Sequence, residues 1–443
     1  MESGTATSDL GSLAVDLLGE LIRIDTSNPP GNERPVQELL AERLGDAGFE
    51  CELLAADDPE RPNLVARLRG DGDGPTLCYL CHADTVPANA SEWSFSPWAG
   101  DVANGFVRGR GAQDMKDQVA TEAAACITLA REGWRPAGEL IYVVTADEEA
   151  GAEIGAQWLC AEQADKVRAD FVVNEGGGAS FELDGVRHYE LCVGEKGVFR
   201  FLLRTLGTAG HASVPSLGDN ALLKLAPLVD RLREQPPREP TPAGLAFLES
   251  VLGEKVGQSP DEIDGALEKL RGKSPLLAAY LAEPMMGITL VPTKARASDK
   301  ENVIPSMAEA VIDCRVPPGG GESEVREAVG EILGADTYEL EFVDEVVGNA
   351  SPFDTPFAKR ITEWIEENDP GARVVPVVMS GFSDSHWWRK AFGASTVYGF
   401  CPQNALNLFE SAELVHSADE RIPVADVEFG AKFFYDLARR VLS

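Results

Sequence analysis

Basic residues are few in this chain, and the shortage excludes whole classes of partner. The 443 residues include 39 lysines and arginines against 73 aspartates and glutamates, which leaves a formal net charge of −34. Nucleic acids and anionic membrane surfaces are recognised through basic patches. We therefore expect no nucleic acid and no membrane as a partner, and we interpret the acidic excess as a solubility property.

The chain also lacks long hydrophobic runs, and we expect no export signal. No stretch of about 18 apolar residues occurs, which excludes a membrane-spanning helix. The first 33 residues lack the basic segment and apolar core that a secretion signal requires. In such a chain the eight cysteines are expected to be reduced and mostly buried. Together these absences predict a cytoplasmic protein.

Histidine is scarce, with five residues, and the first of them lies in an ambiguous motif. The stretch PTLCYLCHADTVP (75–87) contains the Cys-x-x-Cys-His spacing of c-type haem attachment and of dithiols. Haem attachment would require an exported chain and a second axial ligand. On a strand, residues three apart point to opposite faces, so Cys78 and Cys81 do not meet, whereas His82 and Asp84 lie on the same side. We expect the His-x-Asp pair to carry the chemistry of this motif.

Apolar patterns in the first part of the chain predict an α/β fold. Runs typical of buried strands are NLVARLRG, TLCYLCH, LIYVVTA and DFVVNE, and helical spacing occurs in SLAVDLLGELIRI, PVQELLAERLGDAG and MKDQVATEAAACITLAREG. Strands that alternate with helices form a largely parallel sheet flanked by helices. The lack of polar alternation in these strands indicates a sheet that is buried on both faces.

The order of elements changes near residue 197. The segments that follow are VFRFLLRTLGT, NALLKLAPLVDRLREQ, GITLVPTKAR, AEAVIDCRVPP, ESEVREAVGEILG and YELEFVDEVV. This β-α-β-β-α-β order predicts a ferredoxin-like α+β domain. Helices TPFAKRITEWIEEN and VEFGAKFFYDLARRVL then resume the α/β pattern. We expect a catalytic domain in two parts, 1–196 and 347–443, around an inserted domain, 197–346.

Histidine and acidic residues follow several of the predicted strands. They are His82, Asp84, Asp114, Glu148, Glu149, Glu175 and His416. The carboxyl ends of strands border the ligand crevice in sheets of this kind, so these side chains are expected to converge. Imidazoles and carboxylates without thiolates suit zinc or a similar divalent ion. Because there are more ligands than one tetrahedral ion needs, the set predicts two ions that share a bridging ligand.

The motifs around these residues resemble a known family. In chain order they are HADTVP, GRGAQDMKD, TADEEAGAEIGA, NEGG, GHASVPSLGDNA, NVIP and DCRVPPG. The chain is similar, from about residue 12 to its C-terminus, to the zinc-dependent hydrolases that include aminoacylase, carboxypeptidase S, succinyl-diaminopimelate desuccinylase and acetylornithine deacetylase. The segment from GITLVPTKAR to DCRVPPG most resembles the carboxypeptidase S branch.

The resemblance implies a role for each residue at the strand ends. Asp114 and a water would bridge two metal ions, most simply Zn²⁺, with Co²⁺ or Mn²⁺ as alternatives. His82 and Glu175 would complete one ion's ligands, and Glu149 and His416 the other's. Asp84 would orient His82 through its far ring nitrogen. Glu148 would be the general base that takes a proton from the bridging water, the nucleophile.

The resemblance also implies roles in the inserted domain, which would serve as a lid and dimerisation domain. His211 matches a residue that reaches the partner's active site in dimeric relatives and stabilises the oxyanion. Asn302 and Arg315 match substrate-binding positions, with Arg315 suited to a carboxylate. The loop SGFSDSHWW (380–388), including Gly381 and Ser383, matches a substrate-lining loop.

Three residues depart from the family pattern or match none of its motifs. Asp117 stands where relatives often have glycine, and His386 where many have arginine. A structural role and a substrate contact are both open for His386. His188 matches no motif and is expected to be structural or at the surface.

These expectations combine into one predicted activity. The chain is predicted to be a homodimeric, cytoplasmic metallopeptidase or amidohydrolase that cleaves an amide bond next to an amino-acid carboxylate, in a short peptide or an N-acyl amino acid. One alternative is a deacetylase or desuccinylase of a biosynthetic intermediate. Others are a catalytically inactive ligand-binding relative, which would lack Glu148 or a metal ligand, and a haem or thiol redox protein.

Overall fold

The computed structural model describes residues 3–334 and 337–443, and the chain divides into two units. The first unit takes the chain up to Val193, Ser351–Pro376 and Ser383–Ser443. The second unit takes Gly194–Ala350 and Val377–Phe382.

The strands of the described residues range in length from two to ten residues and occur in both units. They are β1 Glu50–Leu54, β2 Asn63–Arg69, β3 Thr76–His82, β4 Asp101–Ala103, β5 Phe106–Arg108, β6 Glu139–Thr145, β7 Phe171–Asn174, β8 Ser180–Leu183, β9 Val186–Glu195, β10 Gly197–Val198, β11 Phe201–Leu206, β12 Gly210–His211, β13 Thr289–Arg296, β14 Val303–Ile304, β15 Met307–Val316, β16 Glu339–Phe342, β17 Asn349–Ala350, β18 Arg373–Met379, β19 Thr396–Gly399 and β20 Arg421–Pro423.

The helices range from single turns to about five turns. They are α1 Ser3–Ile22, α2 Arg34–Ala47, α3 Lys116–Arg131, α4 Trp158–Glu162, α5 Ala164–Val167, α6 Ala221–Arg231, α7 Pro242–Leu252, α8 Pro260–Lys273, α9 Pro275–Leu277, α10 Glu283–Met285, α11 Glu322–Leu333, α12 Pro356–Asn368, α13 Ser385–Ala391, α14 Leu408–Leu414 and α15 Val424–Val441. Within the described residues, no helix is both long and apolar enough to cross a bilayer.

The main sheet of the first unit has the order β1-β2-β6-β3-β7-β19-β9. Its central strands β6, β3, β7 and β19 are parallel, and the flanking pairs β1/β2, β2/β6 and β19/β9 are antiparallel. Strand β3 is buried along almost its whole length. Helix α3 packs on one face of the sheet together with α1 and α15, and α13 packs on β19 and α4. The α/β fold predicted from the apolar runs is confirmed.

The cysteines of TLCYLCH separate as strand geometry requires. Cys78 belongs to a core cluster with Leu159 and Trp388, whereas the Cys81 thiol lies beside the Tyr142 hydroxyl. None of the eight cysteines forms a disulfide, and six are buried. The motif therefore forms neither a disulfide nor a dithiol pair.

The second unit contains a five-stranded antiparallel sheet, in which β15 pairs with β13, β11 and the short β10, and β11 also pairs with β16. Its chain order is β11, α6, β13, β15, α11 and β16, which confirms the predicted ferredoxin-like arrangement. Helices α7 to α10 occupy the segment between α6 and β13. The core lies between the sheet and helices α6 and α11, and it includes Phe201, Leu225, Ile312 and Val329.

Candidate active site

Three parallel strands end side by side and carry acidic loops. His82 is the last residue of β3 and is paired in register with Thr145, the last residue of β6. Strand β7 ends next to them at Asn174. The residues that follow these strands therefore leave the same edge of the sheet. They include Asp84 after β3, Glu148 and Glu149 after β6, and Glu175 after β7.

The first group of ligand atoms surrounds the ring of His82. Its Nε2 lies 3.2 Å from Oδ1 of Asp114 and 3.7 Å from Oε1 of Glu175. Asp114 comes from the loop that precedes α3, and the His82 ring is buried. These separations match an ion held between the ligands, since two ligand atoms about 2 Å from a tetrahedral ion lie about 3.3 Å apart.

The second group uses the other oxygen of the same aspartate. The Nε2 of His416 lies 2.9 Å from Oδ2 of Asp114 and 3.4 Å from Oε2 of Glu149. His416 follows α14, and its backbone has a φ of 59°. Within the described part of the chain, these two groups are the only sets of three potential ligands that lie close enough to hold an ion. They share Asp114, as a two-metal centre with one bridging carboxylate requires.

The hydrogen bonds of His82 show that its free nitrogen suits a cation. Its Nδ1 lies 3.0 Å from the carbonyl oxygen of Asp84, which can only accept, so Nδ1 carries the proton. In the neutral ring the Nε2 lone pair then faces the carboxylate oxygens of Asp114 and Glu175, an arrangement that repels unless a cation lies between them. The donor set of imidazole and carboxylate fits zinc and similar divalent ions.

Asp84 holds the loop glutamates as well as His82. Its carboxylate accepts hydrogen bonds from the backbone nitrogens of Glu148, at 3.2 Å, and Glu149, at 3.1 Å. Burial alone would raise the pKa of Asp84, but the hydrogen bonds it accepts, with His82 the strongest influence, keep that pKa below its ordinary value. Asp84 thus remains an anion that fixes the start of the loop and lets neighbouring glutamates point in different directions.

Glu148 belongs to neither group, and its carboxylate interacts electrostatically with Glu175, His82 and Asp114. Burial, followed by the negative charge of Glu175, raises its pKa well above the ordinary value. A carboxylate with a raised pKa is a stronger base, and this one is not occupied as a ligand. The arrangement therefore provides a proton acceptor next to two ligand groups.

A network of polar side chains contacts Asp84, and the sequence did not predict it. Asn28 donates from Nδ2 to Asp84, at 2.9 Å, and to Asp147, at 3.1 Å. Arg61 pairs with Asp147 and with the buried Glu33. The one local signal was SNPPGNE, where an asparagine precedes two prolines in a segment that does not continue a helix.

The predicted residues of the inserted domain lie in the second unit, outside this cluster. His211 is exposed on β12, which pairs with β14, and its Nδ1 accepts from the backbone of Ser213 at 3.2 Å. Asn302 is exposed next to β14. The Nε of Arg315 lies 2.8 Å from Asp313, and its Nη1 donates to the Ser380 carbonyl at 3.1 Å.

The two residues of the 380–388 loop differ in exposure. Gly381 is exposed and belongs to the second unit. Ser383 is buried in the first unit, where its hydroxyl accepts from Nδ2 of Asn174 at 3.3 Å. Ser383 therefore helps to anchor the end of β7, the strand that precedes Glu175.

The residues that depart from the family pattern are all buried. Asp117 lies in the first turn of α3, and burial raises its pKa well above the ordinary value. His386 on α13 packs edge-on against Trp387, and burial lowers its pKa to about 4. His188 stacks on Phe181 and donates to a backbone carbonyl, which is a structural role.

Comparison with known proteins places this site in a family. Residues 78–440 match the model of peptidase family M20/M25/M40. A succinyl-diaminopimelate desuccinylase of Xanthobacter autotrophicus is 27% identical over 420 residues, which cover 93% of this chain and 95% of that protein. The N-fatty-acyl-amino acid synthase/hydrolase PM20D1 of Bos taurus is 28% identical over 385 residues, covering 82% of this chain and 74% of that protein.

The fold has counterparts among solved structures. The M20 family metallo-carboxypeptidase Sso-CP2 from Sulfolobus solfataricus superposes with a TM-score of 0.69 at 18% identity, over 95% of this chain and 97% of that one. The family match extends over most of the chain and includes all five residues of the two groups, from His82 to His416. This chain belongs to peptidase family M20/M25/M40 and is a metal-dependent hydrolase of amide bonds.

Proposed function

We propose that this protein is a two-zinc hydrolase that cleaves the amide bond next to an amino-acid carboxylate, in short peptides or N-acyl amino acids. The observation that carries the proposal is the pair of ligand groups that share Asp114, with the unligated Glu148 beside them. His82 and Glu175 would hold one ion, Glu149 and His416 would hold the other, and Asp114 would serve both. The names of the desuccinylase and of the N-acyl amino acid hydrolase support this class of substrate.

The chain's own residues divide the work of the reaction. Divalent ions bound at the two groups would lower the pKa of a water and polarise the scissile carbonyl. Glu148 accepts the water's proton at a carboxylate oxygen and returns it to the leaving nitrogen. Asp84 keeps Glu148 and Glu149 apart through their backbone nitrogens, so that one remains a base while the other is a ligand. His82 is held in one tautomer by the Asp84 carbonyl.

Substrate recognition is assigned to the residues that match the family's binding positions. Arg315 pairs with the substrate carboxylate, Asn302 and Gly381 contact the substrate, and Ser383 acts by holding its loop in place. Residues 197–346 serve as the lid and dimerisation domain. A cytoplasmic location completes the proposal, and the eight cysteines, none of which forms a disulfide, support it.

The carboxylate requirement can be tested with a substrate panel. Dipeptides and N-acyl amino acids should be hydrolysed by the zinc-loaded protein, and amidation of the terminal carboxylate should lower kcat/KM by about 100-fold, because a charge-assisted pair is lost. Release of free amino acid measured by chromatography checks this. Equal rates on free and amidated substrates would contradict the assigned substrate class.

The same panel separates the second candidate function. The similarity of this chain to the desuccinylase of Xanthobacter autotrophicus favours a second function, that of a deacylase acting on N-succinyl or N-acetyl intermediates. Such an enzyme should prefer N-succinyl and N-acetyl amino acids over dipeptides by at least roughly tenfold in kcat/KM. The opposite preference would support a peptidase.

We also propose that two copies associate through the second unit. Strand β13 pairs with β15, and no other strand among the described residues covers its second edge. Helix α6 exposes Leu222 and Leu223, the latter 73% exposed. An open strand edge beside exposed leucines favours association. We expect Leu223→Glu to convert a dimer into a monomer in size-exclusion chromatography with light scattering, with Glu268→Gln, at an exposed helical site, as the control.

The proposed role of His211 in the partner's active site can be tested by subunit exchange. His211→Ala and Glu148→Ala should each be inactive, but a mixed dimer contains one intact site with an intact His211 opposite it. After subunit exchange at equal amounts, roughly a quarter of the wild-type activity should return. Absence of recovery, with heterodimers demonstrated by mass spectrometry, would contradict a role for His211 across the interface.

A further inference from the structure

A fully buried carboxylate joins the segments that carry two of the ligands. Glu420 lies four residues after His416, and its side chain is inaccessible to solvent. Its carboxylate pairs with the guanidinium of Arg110 and accepts from the backbone nitrogens of Gly111, at 3.2 Å, Gln113, at 2.7 Å, and Asp114, at 3.3 Å. Glu420 therefore binds the turn that presents Asp114 at four points.

Backbone contacts extend the same connection on both sides. The Glu420 carbonyl accepts from the backbone nitrogen of Gly109 at 3.0 Å, and the Arg421 carbonyl accepts from the side chain of Gln113 at 3.0 Å. Strand β20 continues by pairing with β5. The segments 106–114 and 420–423 are thus joined along their whole length, although about 310 residues separate them in the chain.

The turn before α3 needs an acceptor of this kind. The backbone nitrogens of Gly111, Gln113 and Asp114 precede the helix, and buried N–H groups that lack an acceptor are costly. One carboxylate satisfies all three and fixes the backbone from which the Asp114 side chain projects. In the second ligand group, Asp114 lies on one joined segment and His416 lies four residues before the other, whereas in the first group only Asp114 has such a connection.

We propose that Glu420 is a positioning residue of the metal centre, which holds Asp114 and His416 in ligating positions without contacting metal or substrate. The inference rests on the proposed function, because it presumes that the two groups bind ions. It predicts that loss of the Glu420 carboxylate lowers the affinity for the ion held by Glu149 and His416 more than the affinity for the ion held by His82 and Glu175.

Glu420→Gln tests this proposal. The side-chain amide of glutamine brings an NH₂ group, which is a donor, next to Arg110 and the backbone nitrogens, which are also donors. Zn²⁺ is titrated into the metal-free full-length protein against a chromophoric chelator. The wild type should bind two ions, and E420Q should bind one of them about tenfold more weakly or worse, with the other changed by less than about threefold.

Asp426→Asn is the matched control. Asp426 is also buried and accepts three backbone hydrogen bonds, from Asn404, Ala405 and Leu406, but it holds no ligand segment. D426N should lower the Tm of the metal-free protein and bind both ions as the wild type does. If E420Q lowers Tm in the same way and binds both ions with wild-type affinity, Glu420 is merely structural and the inference is overturned.

The remaining outcomes are also decisive. If E420Q does not fold, Glu420→Asp takes its place. This variant retains the charge on a shorter side chain, and it should lower the affinity for the same ion by a smaller factor. Wild-type affinity in E420D, or a failure of E420D to fold, would overturn the inference. A wild type that binds fewer than two ions would overturn the proposed function together with it, whereas unchanged affinity in the variants overturns the inference alone.

Discussion

The Glu148→Gln variant should bind both zinc ions and lose about 10²–10⁴-fold in kcat/KM, the usual contribution of a general base. Glutamine has nearly the shape of glutamate but accepts no proton at neutral pH. Because Glu148 belongs to neither ligand group, its charge can be removed without removing a ligand. The measurement pairs steady-state kinetics with the zinc content of the same preparation.

Glu153→Gln is the matched control for this result. Glu153 lies on the same loop and is exposed. It should retain wild-type activity and zinc content. If E148Q carries two ions and hydrolyses dipeptides and N-acyl amino acids at the wild-type rate, Glu148 is not the base. If E148Q loses an ion instead, Glu148 is a metal ligand, and the division of roles between Glu148 and Glu149 is wrong.

The Asp114→Asn variant should lose both ions, whereas Glu175→Gln should lose only one. Asp114 offers one oxygen to each ligand group, so removing its charge weakens both, by roughly 100-fold or more in affinity. Glu175 contacts only the first group. Metal content after dialysis, measured by mass spectrometry, should fall from two ions to none in D114N and to one in E175Q.

Asp117→Asn separates this effect from a general effect of replacing a buried carboxyl group. Asp117 is buried three residues from Asp114 and belongs to neither ligand group. It should keep both ions. Equal metal content in D114N and E175Q would contradict the bridging role of Asp114 and would favour two independent sites.

The elements that support the site were predictable because their signals are local. Strands β2, β3, β6 and β7 are continuous apolar runs, and both faces of the sheet that they form are covered. Helix α3 ends where its sequence predicts, with Gly133 following in the left-handed conformation at a φ of 72°. The spacing of His82 and Asp84 placed them together at the end of a strand without reference to any other segment.

Other features depend on contacts between segments far apart in the chain. Strand β1 is mostly exposed, and it is a strand because β2 supplies its hydrogen bonds. The contact of Asn28 with Asp84 joins residues 56 apart, and that of Arg110 with Glu420 joins residues 310 apart. A pattern within a short window cannot report a partner that lies outside it. These contacts arise only when the strands are ordered side by side.

The sequence by itself determined which chemical groups are available and which strand ends deliver them, since apolar runs and residue types are local properties of the chain. Only the tertiary structure decided how those groups face one another. It directs the proton of His82 to the Asp84 carbonyl, turns one oxygen of Asp114 to each histidine, and leaves Glu148 outside both groups. These arrangements depend on distances of about 3 Å between segments far apart in the chain, and hydrogen bonding and burial set such distances only after folding.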